Sequence, residues 1–148
     1  MRYHNITKDD MLNGEGLRTV LWVAGCSHHC PQCHNPVTWD INGGLVFDEQ
    51  AKEELFEELK KDYVSGVTFS GGDPFHLENR EEIGALAKEI REKFPDKTIW
   101  LYTGYEWEEI CHLSFLSNID VIVDGKFKIE EKDNNLHWKG SANQRVID

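Results

Sequence analysis

The chain has 148 residues and a net charge of -11, because 27 acidic side chains stand against 16 basic ones. This length, with a hydrophobic content of 39%, suits one ordinary core, so we expect a single domain over residues 1–148. The negative charge repels phosphate backbones and anionic membranes, which argues against direct partners of either kind. The sequence shows no signal-peptide pattern and no apolar run of about 18 residues, so we expect a cytoplasmic protein.

Four short apolar segments predict β-strands. In chain order they are residues 17–24, 66–69, 98–102 and 119–123, each bounded by Gly, Asp or Pro. Their β-branched and aromatic side chains are typical of buried strands. The long separations between them exclude simple hairpins.

Helical periodicity occurs between these strands. Residues 48–63 place four side chains at spacings of four on one face, namely Ala51, Leu55, Leu59 and Tyr63. A second helix begins with the capping-box pattern Asn79-x-x-Glu82 and ends at Pro95. Its predicted buried face consists of Ile83, Leu86, Ala87, Ile90 and Phe94. A third, weaker helix uses Trp107, Ile110, Cys111 and Phe115.

Alternating strands and helices predict an α/β fold with right-handed βαβ crossovers and a mainly parallel sheet, curved into part of a barrel. The unusual residues follow directly after the strands: Cys26, residues 70–74, residues 103–104 and residues 124–125. Parallel sheets and barrels bind ligands outside the carboxyl ends of their strands. We therefore expect these segments to form one site.

Three cysteines, Cys26, Cys30 and Cys33, follow the first strand within eight residues. In a reducing cytoplasm, cysteines spaced this closely indicate metal ligands rather than disulfides. Thiolate ligands favour an iron–sulfur cluster or zinc. A structural zinc site would need a fourth protein ligand. The candidates are His28, His29, His34 and Cys111. Three thiolates on a four-iron cluster instead leave one iron open, as a catalytic centre requires.

The Cys-x3-Cys-x2-Cys spacing after a first strand resembles the signature of the radical S-adenosylmethionine (SAM) superfamily. Gly71, Gly72, Asp73 and Pro74 resemble the second motif of that superfamily, whose backbone meets the amino group of SAM. Glycine suits such a close approach because it lacks a Cβ atom. The resemblance implies a partial (β/α) barrel of the radical SAM type and a cluster whose open iron chelates SAM.

Nearly the whole chain also resembles the activating proteins of the anaerobic (class III) ribonucleotide reductases, which are glycyl-radical activating enzymes. The matching motifs are Gly16-Leu17-Arg18, Cys33-His34-Asn35 with Thr38-Trp39, Ser70-Gly71-Gly72-Asp73-Pro74, Thr103-Gly104-Tyr105, Val123 to Phe127, and Gly140-Ser141-Ala142-Asn143-Gln144. There are two departures from the pattern. Glu15 stands where proline is common, and His34 stands where an aromatic residue often follows the third cysteine. Both affect only local turn geometry.

This resemblance implies a reaction and a set of residues. Cys26, Cys30 and Cys33 would be the catalytic and metal-binding ligands of a 4Fe-4S cluster. SAM would contact Gln32, Cys33, His34, Asn35, Gly71, Gly72, Asp73, Thr103 and Gly104. The reduced cluster would cleave SAM to methionine and a 5′-deoxyadenosyl radical, which takes a hydrogen atom from a glycine of the large reductase subunit. The implied partners are that subunit and an electron donor such as reduced flavodoxin or ferredoxin.

Two other functions fit the same residues. Another small radical SAM enzyme would share the cysteines and the SAM motif but act on a small heterocycle or on a different glycyl-radical protein. A non-catalytic zinc or thiol-redox module would use the cysteines without cleaving SAM. Co-purification with a reductase subunit, the identity of the bound metal and SAM cleavage separate these functions.

Several single residues have two interpretations. Asp73 is either an exposed turn carboxylate or a partner of the SAM ammonium group, and Asp124 is either a strand-end cap or a rim ligand. Cys111, on the apolar face of the third helix, fits a small buried side chain better than a ligand. His28 and His29 either shield the cluster or are solvated.

Overall fold

The structure, a computed structural model, describes residues 2–10, 16–24, 45–71, 73–75, 79–124 and 145–147. The strands are β1 (Arg2–Asp10), β2 (Arg18–Val23), β3 (Leu45–Val46), β4 (Gly66–Gly71), β5 (Thr98–Tyr102), β6 (Val121–Asp124) and β7 (Arg145–Ile147). The α-helices are α1 (Glu49–Leu59), α2 (Arg80–Lys93) and α3 (Trp107–Ile110), and a 3₁₀ helix covers Ser114–Asn118. No helix within these ranges is long and apolar enough to cross a membrane.

The described strands form one sheet in the order β3-β1-β2-β4-β5-β6-β7. Its centre, β2-β4-β5-β6, is parallel. On the outer sides, β1 pairs antiparallel with both β2 and β3, and β7 pairs antiparallel with β6. The predicted α/β fold with a mainly parallel sheet is therefore confirmed, as a mixed sheet with a parallel centre.

All the predicted strands are present as β2, β4, β5 and β6. The sequence does not predict β1, β3 or β7, which lie outside the parallel centre. Strand β1 is largely polar, and among its side chains Ile6 belongs to the core. Strands β3 and β7 have two and three residues, respectively. Short or polar strands at the sides of a sheet carry little hydrophobic periodicity, so a sequence pattern does not reveal them.

Helix α1 begins after Asp48, whose side chain accepts a hydrogen bond from the backbone N–H of Ala51 at 2.9 Å. The side chains of Ala51, Leu55 and Leu59 are buried, as their spacing predicts. The prediction for Tyr63 is wrong, because its side chain is 54% exposed. The helix ends at Leu59, and the chain turns before it reaches Tyr63.

Helix α2 matches the predicted length and buried face. The buried side chains are Ile83, Leu86, Ala87 and Ile90, and Phe94 is partly buried against the same core. The predicted capping box is wrong, because the Asn79 side chain makes no cap hydrogen bond to the helix. That side chain donates to backbone carbonyl groups at the edge of the sheet instead.

The third predicted helix is divided into α3, which is a single turn, and the 3₁₀ helix. Ile110 is buried at the end of α3. Cys111 corrects the expectation of a buried side chain, because it is exposed. It lies just past the end of α3, where its thiol approaches Glu108 O at 3.9 Å.

Helices α1 and α2 pack on the same face of the sheet. The core on this face includes Leu21, Val23, Val67, Phe69, Ile99 and Leu101 from the strands, and Leu55, Leu59, Ile83 and Ile90 from the helices. The alternate strand residues face the other way. There, Trp100, Val121 and Val123 form a second buried cluster, with Tyr102 partly buried against it.

The amino ends of the parallel strands are joined by Arg18, which is 1% exposed. Its guanidinium donates hydrogen bonds to Thr68 Oγ1 and Val67 O at 2.9 Å, and to Thr98 Oγ1 and Thr98 O at 2.8 Å. It also lies over the Trp100 ring, 5.5 Å from the centroid. We call these residues the amino-edge network. It connects β2, β4 and β5 at the side of the sheet opposite the predicted site.

Candidate functional site

The described motif residues meet at the carboxyl edge of the parallel strands, as the sequence predicts. Val23 of β2 pairs with Gly71 of β4, and Tyr102 of β5 pairs with Val123 of β6. The segments that follow these strands therefore begin at one edge. We call this edge the rim, and its described residues are Ala24, residues 73–75, residues 103–105 and Asp124.

Gly71 ends β4 with φ at 104°, a backbone conformation that favours glycine. A Cβ atom at this position would lie 2.5 Å from Val23 O and 2.6 Å from Val23 N. Glycine therefore permits both the turn and the close packing of β4 on β2. The first glycine of the predicted SAM motif is thus required by the packing of the sheet itself. Its contact with SAM stays a prediction.

Asp73 is fully buried, which excludes the interpretation of an exposed turn carboxylate. Its Oδ1 accepts hydrogen bonds from Phe75 N at 2.9 Å and from Thr103 Oγ1 at 2.8 Å. Its Oδ2 accepts a hydrogen bond from Gly104 N at 2.9 Å. Asp73 therefore joins the glycine-rich turn after β4, residues 71–74, to the turn after β5, residues 103–105. One carboxylate thus connects two of the three predicted SAM-binding segments.

Thr103 completes this junction. Its hydroxyl group donates to Asp73 and accepts a hydrogen bond from Tyr105 N at 3.2 Å. Its side chain is buried, at 5% exposure. The Thr103–Gly104 turn is consequently fixed relative to the glycine-rich turn. These hydrogen bonds explain why threonine and glycine occur at these positions even without a ligand.

Asn79 connects the glycine-rich turn to the end of β2, whereas its sequence pattern predicts only a helix cap. Its Nδ2 donates to Ala24 O at 2.7 Å and to Asp73 O at 3.4 Å. The side chain is fully buried, and among the described residues its Oδ1 has no hydrogen-bond partner. Its position soon after the glycine-rich turn could have suggested a place near the rim. That position does not reveal the contact with Ala24.

Asp124 is buried at the end of β6, with 1% exposure. Its Oδ2 accepts a hydrogen bond from Trp107 N, the first residue of α3, at 2.8 Å. An acidic side chain at a helix N-terminus satisfies a backbone donor that the helix itself leaves unpaired. Of its two interpretations, the structure favours the strand-end cap.

One cation contributes to the described rim from α2. The Arg80 guanidinium lies 5.3 Å from the centroid of the Tyr105 ring, and its Nε donates to Phe75 O at 3.1 Å. These contacts connect the start of α2 to the two turns that Asp73 joins. The sequence pattern gives no sign of this role for Arg80, because the contact with Tyr105 exists only in the folded chain.

Most of the remaining predicted site residues lie outside the described ranges. They are Cys26, Cys30, Cys33, Gln32, His34, Asn35 and Gly72, together with His28 and His29. Within those ranges no group of three His, Cys, Asp or Glu side chains is arranged to hold a metal ion. The assignments of these residues stay predictions.

The rim and the sequence together fit an iron–sulfur cluster with SAM beside it. Three thiolates within eight residues are a suitable ligand set for a 4Fe-4S cluster with one open iron. The predicted cysteine loop, residues 26–33, begins two residues after Ala24, which Asn79 connects to the glycine-rich turn. The buried Oδ1 of Asn79 is an acceptor whose hydrogen bond is not supplied by the described residues. A ligand with N–H donors, such as the amino group of SAM, is compatible with this acceptor.

The chain matches the family described as a 4Fe-4S single cluster domain over residues 12–147. This range contains the cysteine loop and every described residue of the rim. By this match, the chain belongs to the class of single-cluster 4Fe-4S domains.

Three relatives define the family more closely. The anaerobic ribonucleoside-triphosphate reductase-activating protein of Enterobacteria phage T4 is 44% identical over 146 residues, which are 99% of this chain and 93% of the phage protein. The proteins of the same name from Salmonella typhi and Escherichia coli strain K12 are 40% and 39% identical over 150 residues. These matches cover 99% of this chain and 97% of each relative. The chain belongs to the family of anaerobic ribonucleoside-triphosphate reductase-activating proteins, as its motifs predict.

Proposed function

We propose that this chain activates an anaerobic (class III) ribonucleotide reductase by generating a glycyl radical on its large subunit through radical SAM chemistry. Family membership supports both the partner and the 4Fe-4S group. The observation that carries the proposal is the pair of hydrogen bonds from Asn79 to Ala24 O and Asp73 O. They connect the segment that leads into Cys26 with the glycine-rich turn, so groups bound by the two segments would be neighbours.

The arrangement of the elements supports a partial barrel of the radical SAM type, formed by residues 1–148 as one domain. The parallel strands follow chain order across the sheet. Helices α1 and α2 contribute to one core on one face. A doubly wound sheet instead has helices on both faces and a reversal of strand order, whereas a (β/α) barrel places its helices outside.

In this proposal Cys26, Cys30 and Cys33 would hold the 4Fe-4S cluster, and its iron without a protein ligand would be available to SAM. The segments that would contact SAM are residues 32–35, residues 71–73 and residues 103–104. When bound, these groups would supply one-electron cleavage of SAM to methionine and a 5′-deoxyadenosyl radical, and this radical would take a hydrogen atom from a glycine Cα of the reductase to give 5′-deoxyadenosine and a glycyl radical. A reduced flavodoxin or ferredoxin supplies the electron in the cytoplasm.

The chain's own described residues position and enclose the reaction. Asp73 and Thr103 fix two of the SAM-binding turns to each other. The side chains of Asp73 and Asp124 are at most 1% exposed, so the base of the rim is closed to water. Such closure protects a radical from stray hydrogen donors, and it does not require an acid or base from the protein.

The test is anaerobic reconstitution of the full chain with iron and sulfide, followed by reduction with dithionite in the presence of SAM. We expect 5′-deoxyadenosine from the unaltered chain and only background from Cys30→Ala, because the variant lacks one of the three predicted ligands. Cys111→Ala is the matched control, since this cysteine is exposed and lies outside the loop. It should retain cleavage.

The partner is tested by adding the large subunit of an anaerobic reductase to the reduced protein with SAM. A glycyl-radical spectrum that depends on Cys30 would support the full proposal. Cleavage of SAM without a radical on the reductase would favour another small radical SAM enzyme. Stoichiometric zinc with neither iron uptake nor cleavage would replace the proposal with a metal-stapled module.

A further inference from the structure

Asn79 is a buried amide whose hydrogen bonds do not serve its own helix. It stands at the N-cap position of α2, and its backbone carbonyl accepts the hydrogen bond from Ile83 N at 3.0 Å. A capping asparagine side chain would stabilise the helix by a hydrogen bond to its first turn. The Asn79 side chain does not make this bond and instead donates to carbonyl groups at the carboxyl edge of the sheet.

The orientation of the Asn79 amide is fixed by its neighbours. Nδ2 lies 2.7 Å from Ala24 O and 3.4 Å from Asp73 O. Both neighbours are carbonyl oxygens, which only accept hydrogen bonds, so the NH₂ group must face them. Oδ1 is consequently the atom without a described partner, although it is buried.

Such an amide contributes little net stability. A buried acceptor without a partner is unfavourable, and this cost offsets much of the stability that the two donated hydrogen bonds provide. The effect of Asn79 is therefore to connect two segments that lie far apart in the chain. Ala24 is 55 residues before Asn79, whereas Asp73 is six residues before it.

We propose that Asn79 is a positioning residue that holds the start of the cysteine loop against the glycine-rich turn and thereby sets the affinity for SAM. This inference rests on the proposed function, because SAM is the molecule that must touch both segments. The three cysteines fall within eight residues of the sequence, so in this proposal they hold the cluster without help from the turn. SAM, in contrast, needs the loop and the turn in the correct relative position.

The test compares Asn79→Ser and Asn79→Leu with the unaltered full chain after iron and sulfide reconstitution. Serine is a strong N-cap residue, so this variant does not weaken the start of α2. Its hydroxyl group ends one bond short of the Nδ2 position and does not span the gap to Ala24 O. Leucine has the same number and branching of side-chain heavy atoms as asparagine, and it makes no hydrogen bond. Iron content is measured first, and SAM is then titrated while the spectrum of the reduced cluster is followed.

We expect both variants to bind the same amount of iron as the unaltered chain. The SAM concentration at half of the spectral change should rise about tenfold or more, as is typical when a residue that orients a ligand set is lost. Arg18→Met is the control for lost stability, because it disrupts the opposite edge of the sheet. Measured below its unfolding temperature, it should give the unaltered SAM midpoint.

Three outcomes would overturn the inference and leave the proposed function standing. Asn79→Ser with an unaltered SAM midpoint would show that the hydrogen bonds from Asn79 to Ala24 and Asp73 do not set the affinity for SAM. Equal shifts in Arg18→Met and the Asn79 variants would show a general effect of stability. Loss of iron in both Asn79 variants would make the residue necessary for the cluster itself. If the unaltered chain binds iron but shows no spectral change with SAM, the proposed function fails, and this inference fails with it.

Discussion

The two edges of the parallel sheet each bury a charged side chain, but they hold it in different ways. At the amino edge, the Arg18 guanidinium donates to side-chain and backbone oxygens of Thr68, Val67 and Thr98, which all lie within strands. At the rim, the Asp73 carboxylate accepts hydrogen bonds from residues that follow the strands, including Thr103. One network therefore joins regular elements, whereas the other joins the turns between them.

We expect the amino-edge network to serve the stability of the sheet and the rim contacts to serve the predicted site. Partners within strands are already held in place by the ladder, so the amino-edge network adds rigidity to a part of the sheet that carries no predicted site residue. The turns after β4 and β5 lie beyond the paired residues of these strands, and the side chains of Asp73 and Asn79 connect them to each other and to the end of β2. Loops positioned by a rigid scaffold are where binding and catalytic residues concentrate.

The largest effect should come from Arg18→Met. Methionine keeps much of the apolar stem but removes the donors, which leaves buried oxygens of Thr68 and Val67 without this partner. We expect the free energy of unfolding to fall by about 3 kcal/mol, measured by urea denaturation of the cofactor-free chain. Reconstituted cluster and SAM cleavage per folded molecule should not change. If the Arg18→Met variant were fully folded but did not bind SAM, the two edges would not have separate roles.

Arg91→Met is the matched control for this prediction. Arg91 donates to Asp120 Oδ2 at 2.6 Å and to Asn118 O at 3.0 Å. The side chains of the Arg91–Asp120 pair are 29% and 37% exposed. Water can replace the lost partner at such a site, so we expect a loss below about 1 kcal/mol. The contrast between the two arginines measures the effect of burial.

The next largest effect should come from Asp73→Asn. The amide NH₂ of asparagine would face at least one of the N–H groups of Phe75 and Gly104, which now donate to the carboxylate. We expect the unfolding free energy to fall by about 2 kcal/mol even without any cofactor, because a buried donor loses its acceptor. SAM cleavage should fall as well, since the two turns separate.

Asp120→Asn is the control for Asp73→Asn at the amino edge. Asp120 Oδ2 accepts a hydrogen bond from Ile99 N at 2.7 Å, so this variant also disturbs a strand contact. It should lower stability without affecting SAM cleavage. If Asp73→Asn instead left the unfolding free energy unchanged and weakened only SAM binding, the carboxylate would be a ligand contact and not a junction of the rim.

The general layout of the site follows from local sequence patterns. The strands β2, β4, β5 and β6 have short apolar runs with turn residues at their ends, and helical periodicity occurs between them. Chain connectivity then requires parallel strands, which bring the ends of all four strands to one edge. The convergence of residues 70–74, 103–104 and 124 could be predicted for this reason.

Contacts that depend on the folded geometry could not be predicted in the same way. Asn79 has a pattern that is typical of a helix cap, yet the carbonyl group of Ala24, distant in the chain, takes its donor. Cys111 fits the apolar side of a longer helix, but α3 ends before it. The strand pattern brings Asp73, Thr103 and Gly104 to the same edge, but it does not reveal that the Asp73 carboxylate is buried or that it accepts hydrogen bonds from Thr103 and Gly104. Local periodicity carries no information on such pairings.

The smallest effect should come from a charged pair that belongs to neither edge. Lys52 of α1 and Glu89 of α2 form a salt bridge at 3.0 Å, and Lys93 also contacts Glu89 at 3.1 Å. Hydrogen bonds from Lys52 and then Lys93 lower the pKa of the Glu89 carboxyl group below its ordinary value of 4.5. This pair connects the two helices outside the sheet.

Glu89→Gln should lower the unfolding free energy at pH 7 by less than about 1 kcal/mol, because the pair is partly exposed. A carboxyl group with a lowered pKa in the folded state contributes stability above its unfolded pKa, and loses it as the pH falls through the folded pKa. The difference in unfolding free energy between the unaltered chain and the variant should therefore be constant near neutral pH and disappear in acid. Denaturation curves at several pH values measure this difference.

Glu57→Gln is the control, because Glu57 forms an exposed pair with Lys60 at the end of the same helix, α1, and it should have a smaller effect. A difference for Glu89→Gln that persists far below pH 4.5 would mean that packing of the side chain, and not its charge, joins the helices.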